Sequence, residues 1–149
     1  MPKQIDSSTH FLNVDLDIYS RSDLEPLVTA LGQRVYALYM GRTRRTYEAH
    51  LELSVGIIKS ADAAIRAFCA LIGALPKTRR ELWDAAKTRE FNIGVQTGMQ
   101  PHWWETVISN ETVEAAAKLN ARIGFAVYAP EAPKKIVRKK RPPAGGKRD

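Results

Sequence analysis

The sequence predicts an α+β fold of the ferredoxin-like, split-βαβ kind, a mainly antiparallel sheet with helices on one face. Three observations carry that expectation. The chain has 149 residues, 44% hydrophobic and 26% charged, which suits one domain with a real core. Its hydrophobic pattern switches repeatedly between period two and helical spacing. The elements so marked follow the order β-α-β-β-α-α-β-α-β, whose leading β-α-β-β-α-β is the split-βαβ pattern, extended by one further αβ unit.

The first strand covers Phe11 to Tyr19. Leu12, Val14, Leu16 and Ile18 share one face, and Asn13, Asp15 and Asp17 the other. Ser22-Asp23-Leu24-Glu25 has capping-box spacing, and Leu24, Leu27, Val28 and Leu31 then repeat as a helix with Pro26 in its first turn. Val35 to Met40 and Tyr47 to Val55 read as two strands of a hairpin, joined by a moderately long loop at Gly41 to Arg45. Ser60 caps a helix carrying Ala64, Ile65, Phe68, Leu71, Ile72 and Leu75, which Pro76 stops. Thr78-Arg79-Arg80-Glu81 offers a second capping box for a short helix to about Lys87. Glu90 to Gln96 alternates, with Phe91, Ile93 and Val95 inward. Gly98 to Val107 is irregular and aromatic. Ser109 or Asn110 caps a last helix with Val113, Ala116, Ala117 and Leu119 on its apolar side, and Arg122 to Tyr128 forms the final strand.

Charge divides the chain. The net charge is +7. From Pro133 to Asp149 there are eight Lys/Arg and one acid, whereas residues 1–132 hold fifteen of each sign. We therefore read an N-terminal extension at 1–7, one α+β domain at 8–131, and a basic Pro/Gly-containing flexible tail at 132–149. No apolar h-region opens the chain and no apolar stretch reaches the roughly 18 residues of a membrane span. A single cysteine, Cys69, excludes an intrachain disulfide and reads as a buried small hydrophobe. The expectation is a soluble cytoplasmic protein.

Phe11-Leu12-Asn13-Val14-Asp15-Leu16-Asp17 followed by Ser22-Asp23-Leu24 resembles a domain-of-unknown-function family of small bacterial α+β proteins. So does Arg89-Glu90-Phe91-Asn92-Ile93-Gly94 followed by Arg122-Ile123-Gly124-Phe125-Ala126-Val127-Tyr128. The resemblance spans residues 11 to 130. It implies a stand-alone bacterial domain with an immunity-type role, and it supplies no catalytic residues. The basic tail lies outside it.

The signatures of several chemistries are missing from the sequence. There is no H-E-x-x-H or Cys/His zinc spacing, no G-x-S-x-G elbow, no P-loop and no G-x-G-x-x-G. Neither a cofactor nor a catalytic group is assigned. The sheet face, an aromatic loop, two arginine groups and the tail remain. If the first and third strands are neighbours, Asn13, Asp15 and Asp17 stand beside Glu48, His50 and Glu52 on the face away from the helices. That face reads as a solvated sheet surface, as a contact surface for a basic partner, or as a site for a divalent cation or proton transfer built on Asp15, Asp17, Glu48 and His50. Trp103 and Trp104 follow Met99 and His102 in one loop, where adjacent indoles suggest one core lid and one exposed hot spot. Arginines 42, 44 and 45 in the hairpin turn and 79 and 80 at a helix start read as solvated charges or as contacts for an anion or acidic partner. In the tail, Lys134, Lys135, Arg138, Lys139, Lys140 and Arg141 suit phosphate neutralisation on RNA or DNA or contact with an anionic membrane surface, and read otherwise as a solubilising disordered extension.

The leading expectation is a non-enzymatic binding module for a protein partner, in its specific form an immunity-type inhibitor acting by surface occlusion through Asp15, Asp17, Glu48, His50, Glu52, Trp103 and Trp104. The first alternative is a nucleic-acid accessory protein using the tail, and the second a small metal-dependent enzyme using the acidic face. An open sheet face is also compatible with a homodimer.

Overall fold

The clean alternation at the start of the domain becomes β1 (His10–Ser20), the middle strand of a five-stranded sheet. The structure is a computed structural model and describes residues 8–130 apart from 55 and 57. The other strands are β2 (Val35–Thr43), β3 (Thr46–Leu53), β4 (Thr88–Gln96) and β5 (Arg122–Tyr128). Their order is β2-β3-β1-β4-β5. Pairing is antiparallel except between β4 and β5. That parallel pair follows from its connection: the chain leaves the end of β4 and returns through a helix before entering β5. The helices are α1 (Glu25–Leu31), α2 (Ala61–Gly73), α3 (Lys77–Asp84) and α4 (Asn110–Lys118). The architecture is thus α+β, with an open, mixed, mostly antiparallel sheet. Its order differs from a four-stranded split-βαβ sheet because β5 is added in parallel beside β4.

One face of the sheet is the core. Val14, Leu16 and Ile18 of β1, Ala49 and Leu51 of β3, and Phe91, Ile93 and Val95 of β4 are buried against Leu27 of α1, Ile65, Phe68 and Ile72 of α2, Trp83 of α3 and Ala116 of α4. All four described helices feed this one cluster, so the opposite face carries none of the buried apolar residues. Side-chain caps act where the sequence pattern places them at two helices. Ser60 accepts from Ala63 N and Ser109 accepts from Thr112 N.

The local corrections have simple causes. Leu12 is 44% exposed instead of buried, because a register shift between Phe11 and Asn13 puts it out of phase and turns Phe11 toward the core. The hairpin loop is shorter than expected: Thr43 pairs with Thr46, and Arg44 takes a positive φ of 57° to close the turn. At α1 the acceptor for Glu25 N is Asp23, not Ser22. α3 starts at Lys77 behind Pro76, so Thr78 lies within the helix and caps nothing. Val113 is exposed on α4.

The helix layer is tied to the sheet by a buried arginine. Arg89 occupies an inward position of β4, in phase with Phe91, and is 7% exposed. Its Nη1 donates to the carbonyls of Trp83 (2.7 Å) and Asp84 (3.1 Å), and its Nε donates to that of Asn120 (3.1 Å). These oxygens lie at the C-terminal ends of α3 and α4, where carbonyls lack intrahelical donors and a cation complements the helix dipole. Trp83, fully buried beneath, donates Nε1–H to Leu119 O at 2.9 Å. Arg89→Met keeps the apolar stem but leaves three carbonyls without this donor, so the variant should lose about 3 kcal/mol in urea unfolding. Trp83→Phe should lose about 1–2 kcal/mol through one hydrogen bond and some packing. Wild-type midpoints for both would refute the tie.

Candidate binding face

Antiparallel pairing of β1 with β3 sets Asp17 opposite His50 and Tyr19 opposite Glu48. Because side chains alternate, Asn13, Asp15, Asp17 and Tyr19 share the uncovered face with Glu48, His50 and Glu52. β2 adds Tyr36 opposite Glu52 and Tyr39 opposite His50. The expected sheet-face residues are therefore brought together, with two tyrosines that sequence reasoning did not place there.

They form two clusters. In the first, His50 Nδ1 donates to Asp17 Oδ1 at 2.6 Å. The imidazole stands edge-on to Tyr19, with centroids 5.8 Å apart, and tilts against Tyr39 at 5.7 Å. In the second, one amide serves two acids: Asn13 Nδ2 donates to Asp15 Oδ1 at 2.9 Å and to Glu52 Oε1 at 2.7 Å. The Tyr36 hydroxyl donates to the other oxygen of Glu52. Gly94 makes this arrangement possible, since a Cβ there would lie 2.8 Å from Asn13 Oδ1.

The charge on this face is poorly compensated. The ion pairs among the described residues join Asp62 to Arg66, Asp84 to Arg80, Glu114 to Lys118, Glu90 to Arg122 and Asp17 to His50. None brings a lysine or arginine to Asp15, Glu48 or Glu52. Burial first, and then the charges of Glu52 and Asp17, push the Asp15 carboxyl up to about 6, against a smaller opposing pull from His50. Beside it, the cross-strand neighbour Asn92 has a buried Oδ1 with no hydrogen-bond partner.

A metal reading finds little geometry. Among the described residues no group of three or more His, Cys, Asp and Glu is placed to hold a metal ion. Residues two apart on a strand stand about 6.6 Å apart, which spreads Asp15 from Asp17 and Glu48 from His50. The expected turn and helix cations have internal roles in part. Arg42 lies over the Tyr47 ring at 5.0 Å, and Arg80 pairs with Asp84 at 3.2 Å. Burial raises the Cys69 thiol to about 11, which keeps it un-ionised at neutral pH.

The aromatic loop lies elsewhere. Trp104 packs on the core, while Trp103 is 69% exposed. The loop is anchored by Gly98 N donating to Thr9 Oγ1 (3.0 Å) and Thr9 N donating to Gln100 O (2.6 Å), beyond the first residue of β1. Asp17 lies seven residues further along that strand, about 23 Å away. Lys134, Lys135, Arg138, Lys139, Lys140 and Arg141 lie outside the described residues.

A cleft opens where β1 and β3 part, lined from both sides of the sheet. The β1–β3 ladder ends at Leu16 and Leu51, although β1 continues back to His10 and β3 forward to Leu53. A cleft of about 160 Å³ lies there, with Phe11, Leu12, Val14, Leu53, Ile58 and Ala64 as apolar walls and Asn13 and Glu52 as its polar lining. The sequence carries no signal for it, since neither the bulge nor the end of a ladder has a residue signature here. Comparison of the chain with family models, curated proteins and solved structures finds no match. No helix among the described residues is long and apolar enough to cross a membrane.

The acid cluster makes stability pH-dependent. A folded-state pKa of about 6 lies above the ordinary value of 3.8, so between these values the folded state binds the extra proton. The contribution of Asp15 thus improves as pH falls from 7 through 6 toward 4. Asp15→Asn should raise Tm by a few degrees at pH 7.5, and that gain should fade by about pH 4. A pH-independent gap in the melting curves would refute the assignment.

Proposed function

We propose that this chain is a non-enzymatic binding module that seats a basic protein partner on the open face of its sheet, in its specific form an immunity-type inhibitor acting by occlusion. One observation carries the reading. Asp15, Asp17, Glu48 and Glu52 share an uncovered face, and no lysine or arginine among the described residues pairs with them. Held together at a cost to the free protein, these charges steer and orient a basic partner, whose cations relieve their repulsion. Tyr36 and Tyr39, both exposed, add aromatic area of the kind that dominates interface energies. The frame is read as a split-βαβ arrangement extended by β5, with support from the position of β1 between β3 and β4. The metal-dependent alternative has less support, because the acids spread along strands instead of converging.

Immobilised full-length chain should capture a basic partner. The double variant Asp15→Lys/Glu48→Lys should weaken that capture by about tenfold or more while still melting cooperatively. Undiminished capture by the folded variant would end the reading.

The charge count favours one second reading. The whole net charge of +7 resides in residues 133–149, a composition suited to tracking phosphates. RNA or DNA binding by the full chain should then fall with salt on a log–log slope of several units, at about 0.7–0.9 per phosphate neutralised, and vanish on removal of 133–149. Binding that persists without those residues would refute a tail-based role.

A further inference from the structure

The cleft between the diverging ends of β1 and β3 combines two chemistries. Its walls are aliphatic and aromatic carbon from Phe11, Leu12, Val14, Leu53, Ile58 and Ala64. Its polar lining is Asn13 and Glu52, bonded to each other, with Asp15 on the same amide. The donors on hand are few. The Asn13 amide already serves both carboxylates through Nδ2, and the Tyr36 hydroxyl serves one oxygen of Glu52. A carboxylate offers about four acceptor sites, so Glu52, with two bonds, retains capacity. What the site lacks is positive charge and hydrogen-bond donors next to an apolar slot.

We propose that this cleft seats a primary alkylammonium group, its carbon stem between the apolar walls and its nitrogen against Glu52 and Asp15. An ammonium brings three donors and one charge on a flexible apolar stem, which matches both halves of the site. A hard divalent cation is a poorer match, since the walls offer it no oxygen. The same chemistry arises from a lysine side chain of a partner or from a free alkylamine. The proposal rests on the reading of the open face as a surface for a basic partner, and it names the group recognised there.

The test titrates the full chain with n-butylammonium, Nα-acetyl-lysine amide and the uncharged isostere n-butanol, followed by amide chemical shifts. Both ammonium probes should bind saturably in the millimolar range, with shifts centred on Asn13, Glu52 and Leu53. Butanol should bind at least about tenfold more weakly. Glu52→Gln should weaken ammonium binding about tenfold, and Leu12→Trp should block it by filling the slot without changing charge. Tighter binding of the lysine amide assigns the seat to a partner side chain, and tighter binding of butylammonium assigns it to a free amine. No saturable shift up to about 100 mM, equal binding of butanol, or indifference to Glu52→Gln each overturns the proposal. Partner capture that is lost in Asp15→Lys/Glu48→Lys, with no ammonium binding, overturns the cleft alone. Ammonium binding with capture unaffected by that double variant overturns the face reading instead.

Discussion

Because β1 runs between β3 and β4, both of its faces are decided together. Val14, Leu16 and Ile18 go under the helices, so Asp15, Asp17 and Tyr19 must stand on the other side, shoulder to shoulder with the even-numbered residues of β3. Their separation is set by the sheet, not by their own electrostatics. Carboxylates that would drift apart in an unfolded chain are held within mutual influence by backbone hydrogen bonds on both sides. The raised affinity of Asp15 for its proton reflects burial first and then this enforced closeness to Glu52 and Asp17.

The two faces treat charge in opposite ways. On the helix side, one guanidinium is buried and satisfied: Arg89 meets three carbonyls at the ends of α3 and α4, and its charge complements both helix dipoles. On the open side, Asp15, Asp17 and Glu52 are left with amides, hydroxyls and one imidazole as partners, while Glu90 pairs with Arg122. The first arrangement serves the fold, since it connects two helices to a strand. The second weakens the fold at neutral pH, where the half-buried Asp15 must ionise.

The geometry also separates surfaces that share a composition. In the sequence, acidic and aromatic residues are candidates for the same contact role. In space, the aromatic loop hangs from Thr9, beyond one end of β1, while the His50–Asp17 pair sits near the other end. The aromatic rings beside the acids are instead the tyrosines of β1 and β2, one strand away from the histidine on either side. The cleft lies between these regions, where β3 turns away from β1 and Asn13 spans the gap to Glu52.

Local physics alone determined the order of elements, the cap at Ser60, the choice of Ser109 or Asn110 for the last helix, and the inward set Val14, Leu16, Ile18, Phe91, Ile93 and Val95, because periodicity and capping depend on near neighbours. It also grouped Asp15, Asp17, Glu48, His50 and Glu52, since alternation and one assumed strand pairing suffice for that. Arg89 fell outside the strand read at Glu90 to Gln96, and which carbonyls it meets depends on helices distant in the chain. Register, the bulge at Phe11–Asn13, the parallel addition of β5 and the cleft were decided only in three dimensions. Each is set by how strands far apart in sequence slide and separate, and no short run of residues encodes that.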